Sequence, residues 1–136
     1  MTPDGETDLT QLLRTMRPAR QPGRYVFCAV PDLAGLDLSE CLGFFREAEA
    51  CTVILPQAAA DRLGLPYSFV AAWLTLRVHS ALSAVGLTAA VAGALTRIGV
   101  SCNVVAAFYH DHLFVAEADA ERALAALEEL ASGVRF

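Results

Sequence analysis

From Ala72 to Val78 the apolar residues fall on every second position. Ala72, Leu74, Leu76 and Val78 share one face, and Trp73, Thr75 and Arg77 the other. That alternation predicts a strand with one buried side. Gly86 then opens a stretch in which Leu87, Val91, Leu95 and Ile98 recur at helical spacing, and Gly99 ends it. Period two returns over Val100 to Tyr109, with Cys102, Val104, Ala106 and Phe108 opposite Ser101, Asn103, Val105 and Ala107. A reversal near His110-Asp111, a strand over His112 to Ala116 and a helix capped by Asp119 follow, with Leu124, Leu127 and Leu130 inward and Gly133 closing it. Val134 to Phe136 offers a short last strand. The order is strand, helix, strand, strand, helix, strand, in which two helices cover one face of an antiparallel sheet.

The first half is less regular. Asp8 caps a short helix carrying Leu9, Leu12, Leu13 and Met16, with Gln11 three residues after the cap. Pro18 and the Pro22-Gly23 pair end it. Arg24 to Val30 reads as a strand stopped by Pro31, and a polar loop runs through Leu38. Leu42 to Arg46 and Thr52 to Leu55 form two strands around a tight turn at Glu47 to Ala50. Gln57 to Leu63 is a short helix with Gly64 as its C-cap and Pro66 barring continuation. Helices and strands alternate much as in the second half, but without a visible opening strand. The fold class is therefore α+β, as two tandem ferredoxin-like βαββαβ domains, one over residues 1–68 and one over 69–136.

Composition narrows what such a chain can do. Of its 136 residues 55% are hydrophobic and 18% charged, so it buries a core and does not stay disordered. A net charge of −5 argues against nucleic-acid binding, which needs clustered cations. All the cations are arginines. No segment reads as a secretory signal or a membrane span: the start is acidic, and Arg77, His79 and Arg97 interrupt the apolar run from Phe69 to Gly99. Cys28, Cys41, Cys51 and Cys102 form no CxxC pair, which suits reduced thiols in the cytoplasm. Trp73, Val105 and Tyr109 fall on the sheet face that the helices leave free, which predicts a homodimer or a higher even oligomer.

Two stretches carry a family resemblance. Val85-Gly86-Leu87-Thr88-Ala89-Ala90-Val91, followed by Leu95-Thr96-Arg97-Ile98-Gly99-Val100-Ser101, resembles the helix-and-strand core of ACT domains. Val104 to Val115 resembles the hairpin of tandem ACT-like proteins related to aspartokinase regulatory domains and arginine sensors. The runs Phe45-Arg46-Glu47-Ala48-Glu49 and Thr52-Val53-Ile54-Leu55-Pro56 are similar to the N-terminal module of a bacterial branch of that group. That branch has glycine where this chain has Ala50, so a turn relying on positive φ must be built differently here.

The resemblance implies a sensor that binds a free amino acid, has no catalytic residues and uses no cofactor. Its ligand site falls on Gly86, Leu87 and Thr88, with Asn103, Val104 and Val105 from a neighbouring domain or subunit. The residues suit that role physically. Gly86 permits close backbone approach, and the first amides of its helix lack intrahelical acceptors and sit at the positive end of the dipole. Asn103 is a polar residue in an otherwise apolar strand and can meet the ammonium or carboxylate. The plainer readings are a helix start packed on the sheet and an asparagine bonded to a loop, which would leave a ligandless dimerisation or docking module.

Other chemistry is weaker. His110 and His112, two apart on a strand, share a face, but a metal would need a third ligand such as Glu117 or His79. Cys102 with His79 or His110 offers a nucleophile and base, yet Cys102 alternates with core residues, where thiols are inert. Glu47 and Glu49 are two acids in a solvated turn rather than a glycosidase pair.

Overall fold

A computed structural model describes residues 8–78 and 85–133. By internal contacts the chain divides into an inserted unit, Gly23–Ala71, and a flanking unit made of Met1–Pro22 and Ala72–Phe136. The sequence-based division at 68/69 followed chain order. By contacts, the residues up to Pro22 group with Ala72–Phe136.

The inserted unit begins with β2 (Tyr25–Val30). A loop and a single turn at Leu38–Glu40 follow, then β3 (Gly43–Arg46), β4 (Cys51–Pro56), α2 (Gln57–Leu63) and the first two residues of β5 (Val70–Arg77). β2 pairs antiparallel with β4 from Tyr25↔Pro56 to Val30↔Cys51, β3 pairs with β4, and Val70 and Ala71 pair with Val26 and Tyr25. The strands thus run β5-β2-β4-β3, the order of a ferredoxin-like sheet. Val26, Cys28, Val30, Val53 and Leu55 alternate onto one face and bury against Ala59 and Ala60 of α2. Gly64, at φ 71°, ends α2: its amide and that of Leu65 donate back to Asp61 and Ala60 carbonyls, which a left-handed residue makes possible. In the β3–β4 turn the Glu47 amide donates to the Ala50 carbonyl at 2.9 Å. Among the described residues every positive φ belongs to glycine, so Ala50 turns the chain without it.

The flanking unit contains α1 (Leu9–Thr15), β1 (Arg17–Arg20), the rest of β5, α3 (Leu87–Arg97), β6 (Cys102–Ala106), β7 (Asp111–Ala116) and α4 (Ala120–Ala131). Asp8 caps α1 as expected, accepting from the Thr10 and Gln11 amides at 3.0 and 3.4 Å. Pro18 ends the helix but also lies inside β1, which pairs antiparallel with β5 from Arg17↔Arg77 to Arg20↔Leu74. Proline lacks an N–H to donate, so it is tolerated where a strand is bonded on one side only. The order β1-β5-β7-β6 is again ferredoxin-like. β1 fills the place that a C-terminal strand would take; the expected strand at Val134 to Phe136 lies outside the described residues.

One core joins the helices to the sheet: Leu12 of α1 and Met16 just after it, Leu74 and Leu76 of β5, Leu87, Val91 and Leu95 of α3, Leu113 and Val115 of β7, and Leu127 of α4. Three expectations change here. Ile98 is 37% exposed, because the chain folds back through Gly99 and buries Val100 instead, whose amide bonds the Leu95 carbonyl. The inner face of α4 is Ala120, Ala123 and Leu127, small residues that bring the helix close, while Leu124 and Leu130 are half-buried. Asp119 does not cap α4 through its side chain; its carboxylate takes Arg122 at 3.1 Å.

Candidate functional site

The strongest candidate is the start of α3. Gly86 sits at φ 101°, a conformation that side chains rarely adopt, and its carbonyl accepts the first helical bond, from Ala90. Among the described residues no side chain caps the helix, and the amides of Leu87, Thr88 and Ala89 precede that first bond. Leu87 is buried and pins the helix to the core, whereas Thr88 and Ala89 are exposed. The start is therefore a rigid set of amides beside solvent at the positive end of an 11-residue helix.

A Cβ built on Gly86 would stand 3.1 Å from Leu9 Cδ2. Leu9, at the first position of α1, therefore packs over the Gly86 turn. No local signal near Gly86 could have found it, since α1 reaches this place only through tertiary packing.

Asn103 is exposed on β6, and Val105, 42% exposed, shares its face. Val104 points the other way, half-buried against the helix-covered core. α3 packs on the Val104 side, so the flanking unit does not bring Asn103 and Val105 together with Gly86, Leu87 and Thr88.

The strand expected to run to Tyr109 stops at Ala106. The reversal lies at Ala107–His110, closed by the Ala107 amide on the His110 carbonyl at 3.0 Å. Phe108 and Tyr109 are therefore turn residues, 63% and 64% exposed, packed edge to face at 4.9 Å rather than laid on the sheet. Trp73 does lie on the face away from the helices. Its indole N–H donates to His112 Nδ1 at 3.0 Å, and its ring stacks on Phe114.

The His110-Asp111-His112 run does not converge. His110 sits in the turn with Nδ1 3.4 Å from the Val78 carbonyl. Asp111 pairs with Ala106 and faces the helices, and His112 faces the opposite way. Asp111 is only 6% exposed, and burial pushes its pKa up. Among the described residues no three His, Cys, Asp or Glu side chains gather as a metal site; His79 lies outside them. Cys102 is half-buried at the opposite end of β6 from the turn that carries His110, with its thiol pushed up by burial, the reverse of what a nucleophile needs. Glu47 and Glu49 are exposed in the β3–β4 turn, where Glu47 accepts from the Thr52 hydroxyl. No described helix is long and apolar enough to cross a membrane.

Two ferredoxin-like α+β units in one chain, one with a glycine-opened helix after its first strand, define a tandem of small α+β modules. An ACT-domain family model matches residues 4–72, and a second ACT-domain model matches 68–129. The chain belongs to the ACT-domain family, whose members are typically ligand-binding regulatory modules.

It is similar to a protein of unknown function from Vibrio cholerae, described as a possible transport protein. The two are 44% identical over 90% of this chain and 95% of that one, with a TM-score of 0.81. It also resembles a protein from Agrobacterium tumefaciens at 17% identity, over 85% and 89% of the two chains, with a TM-score of 0.61. The ligand-free regulatory subunit of aspartate kinase from Thermus thermophilus is 12% identical over 87% and 98%, with a TM-score of 0.62. Those last two likenesses concern the fold. No curated protein matches the chain.

Proposed function

We propose that this protein senses a free amino acid, acting as a non-catalytic cytoplasmic regulator built as a homodimer or a higher even oligomer. The observation that carries this reading is the uncapped start of α3 behind Gly86. A ligand carboxylate takes the Leu87 and Thr88 amides, and the exposed Thr88 hydroxyl adds a bond. Asn103 of a second copy, flanked by Val104 and Val105, completes the pocket, since Asn103 and α3 lie on opposite sides of their own sheet. Its amide group can donate to the carboxylate or accept from the ammonium.

A second reading rests on Leu9. Its close packing over Gly86 is also what a helix start buried for stability alone would show, leaving a ligandless docking module.

Thermal melting with each common amino acid at millimolar concentration separates the two. A ligand at about 100 times its dissociation constant stabilises the native state by about 2.7 kcal/mol. For a chain of this size that raises Tm by roughly 3–6 °C. Gly86→Val should abolish the shift, and Asn103→Ala should weaken binding by about 1–3 kcal/mol. If no amino acid moves the wild type, or both variants keep the full shift, the docking module is the better account.

A further inference from the structure

The histidine run that the ligand site leaves unused contains a hydrogen-bond network on the sheet face away from the helices. Trp73 Nε1 donates to His112 Nδ1 at 3.0 Å, and Thr75 Oγ1 lies 3.1 Å from the same nitrogen. Gln21 Nε2 donates to Thr75 Oγ1 at 3.0 Å, while the Gln21 backbone amide donates to the Trp73 carbonyl at 2.9 Å. Thr75 is 3% exposed, so these groups meet largely out of water. His112 thereby ties β7 to β5, and through Thr75 to the residue that follows β1.

An indole N–H can only donate. The bond from Trp73 therefore requires a bare Nδ1, which fixes His112 as the neutral ring with its proton on Nε2. A proton added at Nδ1 would face the indole N–H donor to donor, and only the Thr75 hydroxyl could turn to accept it. We propose that His112 is an acid-sensitive latch: neutral, it holds the Trp73 indole and the Gln21–Thr75 pair in place, and protonation at Nδ1 releases Trp73.

The surroundings push the same way. Burial, and after it the charge of His110, hold the His112 pKa below the ordinary value of 6.5. Among the described residues of β1, β5, β6 and β7, the other charged side chains on this face are Arg77 of β5 and its partner Arg17 of β1, both cations. Asp111, the nearest acid in sequence, lies on the opposite face, and β6 contributes only Asn103 and Val105. A histidine with a depressed folded pKa costs nothing above its unfolded value, destabilises progressively as pH falls from that value towards the folded one, and adds no further cost below it. The latch is closed at neutral pH and opens in acid.

Trp73 is the only tryptophan, so its fluorescence reports the latch directly. Between about pH 8 and about pH 4.5 the emission should change with a midpoint below about 6.5 while far-ultraviolet circular dichroism stays constant. His112→Gln should remove the transition. His110→Gln should keep it and move its midpoint upward. A transition unchanged in His112→Gln, or flat wild-type emission across the range, overturns the proposal. Should His112→Gln fail to fold, ring nitrogen NMR of the wild type decides. The proton on Nε2 at about pH 8 supports the latch, and the proton on Nδ1 overturns it.

Discussion

The two units share one strand order but treat the segment after their first strand differently. After β2 the inserted unit has a loop whose amides are already taken by its own acids. Asp32 accepts from the Ala34 amide at 2.8 Å, and Asp37 from the Ser39 amide at 3.0 Å. The Ser39 hydroxyl also donates to Asp37, holding that carboxyl below the usual range. After β5 the flanking unit instead has a full helix that opens on glycine, with no side-chain cap bond among the described residues. One unit fills this stretch with a loop bonded to its own acids, and the other opens a helix on glycine there. A tandem of like folds therefore need not carry two like sites, and in this chain only the flanking unit is a candidate.

The sharpest way to break that comparison is to attack what supports the flanking unit. Leu12 is fully buried, although it comes from a segment outside the contiguous second half. Leu12→Ala should cost about 2–5 kcal/mol in urea unfolding. A cost below about 0.5 kcal/mol would mean that α1 does not belong to this core.

Asp111 gives the next effect. Its pKa is raised, so the folded state disfavours the ionised form, at a cost complete above the folded pKa and absent below the usual value of 3.8. Asp111→Asn should stabilise the protein at neutral pH by about 1–3 kcal/mol, and the gain should vanish in strong acid. Equal stability of variant and wild type across the pH range would contradict a strained buried carboxylate.

The smallest effect tests the filled loop. Asp37→Ala should lower Tm slightly, as loss of an exposed cap does, and leave any amino-acid-dependent rise in Tm unchanged. A lost ligand response would move the binding site to the inserted unit.

Much of this fold was legible because its signals are local. Gly64 and Gly99 mark helix ends by a conformation that other residues avoid, and the alternation through Ala72 to Val78 names the face that packs on the helices, although Thr75 on the other face is buried as well. What escaped depends on distant partners. Arg17-Pro18-Ala19-Arg20 has neither the apolar alternation nor the β-branched residues of a strand, and becomes one only by pairing with Leu74 to Arg77. Phe108-Tyr109 reads as strand because aromatics favour strands, yet the register of β6 on β7 makes those residues the turn. At the candidate site, glycine and the bare amides were visible in the sequence. Leu9 over Gly86, and the separation of Asn103 from α3 by the sheet, required the structure.

The placement of β1 also bears on the order in which the chain matures during synthesis. Residues 8–20 leave the ribosome before β5, yet β5 is their sheet partner, and the core around Leu12 and Met16 needs α3, β7 and α4 as well. The inserted unit finds all its strands by residue 71 and can close while the rest is still being made. The opening helix must wait with its apolar face unsatisfied until nearly the last turn of α4 is out. A nascent chain stalled with its exposed portion ending near residue 71 should therefore protect the inserted unit from protease and leave the segment before Gly23 open to cutting. A segment made before the inserted unit is folded after it.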